Sequence, residues 1–423
     1  MKRIILILLS LLLTALVAAG CTESQPSQPA QPGQPEQNQP IGDDFSDFDA
    51  VLNAARGTTV SFFGWGGNMA TNNWLDNVVG RSLSDQYGTA LNRVPMDIDD
   101  ILTKLMGEKQ AGVESGDIDV VWINGENFYT AKNAGLLYGP ITQYVRNYTV
   151  YLDPDSADLH YDFGTPIEGM EVPYGRAQMV FLGDSAVLDS FPSSAQQLLE
   201  LARQHPGRIT YSAPPDFTGS AFVRNILYEI VGFDAIFNAP ADEDAMYEVI
   251  KPGLDFLVEL KPYLWQEGTT YPADAPAVEQ MFIDGLLLFN WSYVPMRAAQ
   301  QIMAGEYPDT VQTFVFDRGN IGNTHYMAIP FNAPNKAGAL ALINHIISAE
   351  MQITKYDASN WGDLPIFDVD RLTDTQKAQL DAIDNGVGIL TPEELFAHRL
   401  PEVQAEKIPI IERLWERHVL HAN

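Results

Sequence analysis

Short apolar runs that stop abruptly in glycine, amide and hydroxyl residues, each followed by a helical pattern, constrain this chain more than any other feature. In GDIDVVWINGENFYTAKNAGLL, residues 116–137, the run DVVWI (119–123) ends in Asn-Gly-Glu-Asn before helical periodicity begins. A continuous apolar run of that length suits a strand covered on both faces of its sheet. TTVSFFGW (58–65) has the same form and ends in Gly66-Gly67-Asn68; RAQMVFL (176–182), RITYSAP (208–214) and MAIPF (327–331) read as further strands. Between them, DIDDILTKLMGEKQAG places Ile98, Ile101, Leu102 and Leu105 at helical spacing, and SSAQQLLELARQ (193–204) is amphipathic. AGALALINHIISAEM sets Leu340, Ile343 and Ile347 on one side, and Thr391-Pro392-Glu393-Glu394 offers a cap with proline at the first helical position. This strand–helix order predicts an α/β protein with mostly parallel sheets.

Ligands of such sheets gather outside the carboxyl ends of the strands. Four strand ends carry suitable chemistry. They are Trp65, Gly66, Gly67 and Asn68; Asn124, Glu126 and Asn127; Asp216, Thr218, Gly219 and Ser220 at the start of an apolar helix; and Trp291 and Tyr293 after GLLLFN. Singly, each has a plain structural reading: Gly66-Gly67 as a turn, Asn124-Gly125 as a turn dipeptide, Thr218 or Ser220 as a helix cap, the rings as core. Their recurrence at four strand ends points instead to one cleft for a small polar molecule.

The front of the chain adds location. MKRIILILLSLLLTALVAAGC carries Lys2 and Arg3, an apolar run from Ile4 to Val17 and small residues before Cys21, as a secretory signal does. Residues 1–20 are therefore expected to be a signal peptide. Cys21, the one cysteine in 423 residues, stands where a lipoprotein signal places its acylated thiol. Residues 22–44 are a Gln/Pro/Ser tether with almost nothing apolar to offset the entropy of ordering. The body from about 45 to 423 exceeds one ordinary core, so two lobes are expected. With 25 basic against 55 acidic residues, the charge balance argues against nucleic acid and an anionic membrane as main partners.

With that signal and tether, the segments FFGWGGN, GDIDVVWINGENFYTAKNAGLLYGP, VPYGRAQMVFLGD, ITYSAPPDFTGSAF and AIPFNAPNKAGALALINHIISAEMQ resemble the extracellular solute-binding proteins of bacterial ABC importers. Within them, the resemblance is to the YnjB-type group, related to thiamine-, polyamine- and iron-binding proteins, and it covers nearly all of residues 55–420. It implies a two-lobed, type II periplasmic-binding-protein-like fold. Lobe 1 would hold 45–175 plus about 326–365, and lobe 2 about 176–325 plus 366–423. VPYGRAQMVFLGD (172–184) and THYMAIPF (324–331) would form the hinge strands. It further implies a monomer held to the membrane by lipid at Cys21, outside the cytoplasm, which closes on a solute and delivers it to a permease with its ATPase.

Neither a cofactor nor a metal is expected. The adjacent tyrosine pair of iron-binding relatives and the Ser-rich loop of sulfate binders are missing, and the seven histidines are scattered. Trp65, Trp291 and Tyr293 with Glu126 and Asp216 suit an organic cation, thiamine-like or an amine. The alternative within the class is a carboxylate or phosphate held by the amides of Thr218, Gly219 and Ser220. Outside the class stand a hydrolase or lyase using Glu126 and Asp216, and a structural lipoprotein; no Gly-x-Ser-x-Gly or His-Glu-x-x-His supports an enzyme.

Overall fold

The computed structural model describes residues 44–422, so the signal peptide, Cys21 and all but the last residue of the tether lie outside the described residues. Asp47 caps α1 (Phe48–Ala55), which leads into β1 (Thr59–Gly64). There follow β2 (Ala90–Pro95), α2 (Ile98–Gln110), β3 (Val120–Ile123) and α3 (Gly125–Asn133). β4 (Glu171–Gln178) and β5 (Val180–Asp184) come next, separated at Met179, and then α4 (Ala195–Gln204), capped by Ser194. The long helix α5 (Phe217–Val231) precedes β6 (Phe289–Ser292), β7 (Val311–Phe314) and β8 (Asn320–Pro330). α6 (Lys336–Ile346), α7 (Ala349–Tyr356), β9 (Arg399–Leu400) and α8 (Ile408–Trp415) complete the frame.

The larger sheet runs β9-β8-β3-β1-β2, with β4 also paired to β8. β1 is parallel to both β2 and β3, and β8 is antiparallel to β3 and β4. Apolar side chains alternate between its two faces. Val60, Phe62 and Val120 enter one core with α1 and α6, whereas Phe63, Val121 and Ile123 enter another with α2 and α3. That double burial is why these strands are apolar at nearly every position. Asp119 ties the layers together by accepting from Ser61 N and Asn335 N, both at 2.8 Å.

The second sheet, β7-β5-β6, is antiparallel throughout and the larger sheet is mixed, so the parallel pairing expected to dominate both halves is confined to β1 with β2 and β3 and to β8 with β9. An apolar run records burial and not strand direction, which long-range chain return decides. Residues 208–214 also depart from expectation and form no strand. The carbonyls of Arg208, Ile209 and Thr210 each accept from a different segment, at Leu288 N, Trp265 N and Trp291 Nε1, instead of one ladder.

A third and largest core gathers Met179 to Ile321 and Val403 to Val419 around α5. The β4–β5 segment passes from Val172 and Tyr174 in the α1–α6 core to Met179 and Phe181 in this one, and β8 returns from Ile321 to Met327 and Ile329. Two antiparallel segments thus cross between the cores. A smaller cluster packs Phe367 and Leu372, with Leu380 and Ile383, on α7 and Tyr151.

Candidate functional site

Glu126 lies in the first turn of α3, one residue after Gly125, whose φ of +61° turns the chain sharply out of β3. A Cβ at Gly125 would stand 2.8 Å from the Phe163 ring, so close approach also demands glycine there. Gly125 N donates to the buried Asp162 Oδ2 at 2.5 Å, and the extended Asn124 donates from Nδ2 to the Thr324 carbonyl at 3.5 Å. These bonds hold the helix start and with it Glu126. Glu126 Oε2 is buried and has no hydrogen-bond partner. Burial pushes its carboxyl up to about 7; Arg224 pulls the other way, and Glu412 and Glu402 add to the rise.

Those neighbours belong to the α5 side. Arg224 Nε and Nη2 donate to the two carboxylate oxygens of Glu402 at 3.0 and 2.9 Å, with side chains only 1% and 2% exposed. Arg224 Nη1 donates to Ser220 Oγ at 2.6 Å, one helical turn earlier, and Ser220 Oγ donates to Glu412 Oε1 at 2.6 Å. Tyr293 OH donates to Glu402 Oε1 at 3.4 Å, and its ring lies 5.3 Å from that of Phe217. Burial works against the Arg224 charge, and the Glu402 carboxylate more than offsets it. α3 packs against the turn Ala405–Lys407 that follows Glu402, which brings the two walls face to face.

The expected residues divide between this site and other duties. Glu126, Ser220 and Tyr293 meet through Arg224, Glu402 and Glu412. Asp216 caps α5: its Oδ1 accepts from Gly219 N at 2.8 Å and from the Ser212 hydroxyl. Thr218 is half-buried in the first turn of α5, as Asn127 is in that of α3. A Cβ at Gly219 would lie 1.9 Å from the Ser212 carbonyl oxygen, so Gly219 serves close packing. Asn68 caps the next helix, accepting from Ala70 N and Thr71 N. Gly66 makes room for Pro95, Gly67 lies under the Trp65 ring, and Trp65 itself is exposed. Trp291 stands apart from this cluster. It is buried in the α5 core, its ring 4.7 Å from Phe222 and 5.0 Å from Phe181.

The crossing strands contribute polar groups as well. Asp158 accepts from Arg176 Nε at 2.9 Å and Thr324 Oγ1 at 2.7 Å, and Arg399 donates to the carbonyls of Ala177 and Asn323. Neither side-chain polar atom of the buried Asn323 has a partner. Among the described residues no three His, Cys, Asp or Glu side chains are arranged to hold a metal ion.

A family model described as bacterial extracellular solute-binding protein matches residues 82–379. The protein YnjB of Escherichia coli (strain K12) is 35% identical over 339 residues, which is 80% of this chain and 87% of that one. The chain belongs to the extracellular solute-binding family. Binding, and not turnover, is therefore its activity, as the missing hydrolase motifs led us to expect.

Solved structures share the fold of this solute-binding protein. A periplasmic thiamin binding protein aligns with TM-score 0.57 at 16% identity, covering 85% of this chain and 96% of the other. AfuA from Actinobacillus pleuropneumoniae, with fructose-6-phosphate bound, aligns with TM-score 0.57 at 13% identity, covering 86% and 99%. Both are periplasmic binding proteins, so the two-lobed fold implied by the resemblance stands. Sequence reading of this solute-binding protein missed Arg224, Glu402, Glu412 and Asp162. Arg224 had a signal: an arginine in the middle of the apolar helix AFVRNILYEI, one turn after Ser220, must find a buried partner. Glu402 had none.

Proposed function

We propose that this protein is the substrate-binding lipoprotein of an ABC importer and that its solute is a small organic cation, thiamine-like or a simple amine. One observation carries the charge of the ligand. Glu126 brings a buried, unpartnered carboxylate oxygen up to a wall that already holds Glu402 and Glu412. Burial resists ionisation of this carboxyl unless its charge is paired, and a bound ammonium or thiazolium supplies the pairing. Tyr293, Phe217 and the exposed Trp65 offer ring faces, each worth about 0.5–2 kcal/mol to a cation. Similarity in fold to the thiamin binding protein and to AfuA supports the binding-protein role, and the charge of the solute rests on the side chains around Glu126.

Capture works by closure of two lobes across the crossing strands. We take lobe 1 as 45–175 plus about 326–365 and lobe 2 as about 176–325 plus 366–423, with 367–383 moved to lobe 1 because it packs on α7 and Tyr151. A lipid on Cys21 and the tether 22–44 keep the monomeric body outside the cytoplasm and near its permease. The permease is driven to act only by preferring the closed form, since a ligand shifts the lobes no further than its differential affinity allows.

Calorimetric titration with thiamine, putrescine and spermidine tests the reading. Binding of at least one, weakened in Glu126→Gln, is expected. Heat from phosphate or fructose 6-phosphate, and from none of the cations, overturns it.

A further inference from the structure

We propose that Glu402 is the charge selector of this cleft: it occupies Arg224 from within the chain and so closes to anionic solutes a wall otherwise equipped to hold them. The inference rests on the cleft reading above and adds the residue that decides the sign of the ligand. The start of α5 offers backbone N–H groups, the Ser220 hydroxyl and, one turn on, the Arg224 guanidinium. That combination binds phosphate or carboxylate wherever it is left open.

Here the principal donors are turned inward, onto internal carboxylates or their neighbours. Gly219 N is taken by Asp216, Ser220 Oγ by Glu412, and Arg224 Nε and Nη2 by Glu402. Arg224 Nη1 is turned onto Ser220, and Tyr293 OH adds a second donor to Glu402. Glu402 is also held in place from both sides. The Tyr228 hydroxyl donates to the Pro401 carbonyl at 3.3 Å and accepts from Val403 N at 3.1 Å, so one phenol fixes the residues flanking the selector. With the anion donors filled, the facing wall presents the unpartnered Glu126 Oε2. An incoming anion finds the Gly219, Ser220 and Arg224 donors already engaged, and the need to displace Glu402 to free the guanidinium selects against it.

The test is calorimetric titration of the full-length protein with inorganic phosphate, fructose 6-phosphate, thiamine and spermidine. The variants are Glu402→Gln, Glu402→Asp and the double variant Arg224→Gln/Glu402→Gln, with folding checked by thermal melting. Wild type is expected to give no measurable heat with either anion. E402Q should gain phosphate affinity by on the order of tenfold or more, as a freed buried guanidinium allows, and the double variant should lose the gain. If E402Q does not fold, E402D decides in its place: its shorter carboxylate frees part of the guanidinium, and a gain of several-fold is expected. Folded E402Q or E402D with wild-type response to both anions overturns the proposal, as does wild type binding phosphate as tightly as E402Q. The two readings fail separately. An anion gain in E402Q with no cation response from any variant keeps the selector and removes the cation reading; cation binding without the gain does the reverse.

Discussion

The backbone N–H of Gly125 donates to Asp162 Oδ2 at 2.5 Å, joining the turn out of β3 to a carboxylate that is itself buried. Burial pushes the Asp162 carboxyl well up, and Glu126 and Asp158 add to it. Asp162→Ala leaves Gly125 N without its acceptor inside the protein, at a cost of about 1–3 kcal/mol. Asp162→Asn keeps an acceptor oxygen and should restore most of the loss. Chemical denaturation of both variants, with cation titration alongside, checks this; equal loss in the two would show that the bond does not position α3.

Glu126 makes stability depend on pH. The folded protein holds its proton up to about pH 7, whereas the free group has its pKa at 4.5. Between those values the folded state binds more protons, so stability falls as pH rises across the window and levels off above it. The contribution is at most about 3 kcal/mol. Asp162 and Glu171 are pushed up by burial in the same direction. Glu126→Gln should therefore flatten, without abolishing, the decline in urea-measured stability of the ligand-free protein between pH 5 and pH 8. An unchanged slope would remove Glu126 from the account.

Arg224→Met breaks an ion pair between two side chains that water scarcely reaches. It leaves Glu402 buried without its cation and should cost about 3–5 kcal/mol in denaturation experiments. Replacing both partners, as Arg224→Met/Glu402→Leu, should cost much less, because no uncompensated charge remains.

The two tryptophans marked by sequence as ring contacts should behave oppositely. Trp291 is buried among Phe181, Phe222 and Phe289, so Trp291→Ala should cost about 3–5 kcal/mol. Trp65 is 46% exposed, so Trp65→Ala should move stability by no more than about 0.5 kcal/mol while weakening cation binding. Thermal melting and calorimetry on the pair separate core from contact.

Gly219→Ala sets a methyl group against the Ser212 carbonyl oxygen, 1.9 Å from the ideal Cβ position. Backbone on both sides leaves little freedom to yield, and a loss of about 1–3 kcal/mol or more is expected. A melting temperature equal to wild type would mean that the start of α5 moves freely.

Much of the frame follows from short-range patterns. Apolar runs foretold β1, β3 and the crossing strands, and periodicity foretold α2, α4 and α6. The Thr391–Glu394 capping box forms with Pro392 inside the first turn, as its spacing suggested. Such signals are readable because side-chain alternation and helix capping act across two to four residues. The antiparallel second sheet and the missing strand at 208–214 were not readable, since hydrogen-bond partners there come from distant segments. The site divides in the same way. Sequence marked Glu126, Ser220 and Tyr293 by their place at strand ends. Only the folded chain brought Arg224 to Glu402, 178 residues away, left Glu126 Oε2 without a partner and sent Trp291 into the core. Local chemistry determines which residues can bind; which of them stay free to do so is decided by packing, because a buried polar group takes whatever partner the tertiary fold places within reach.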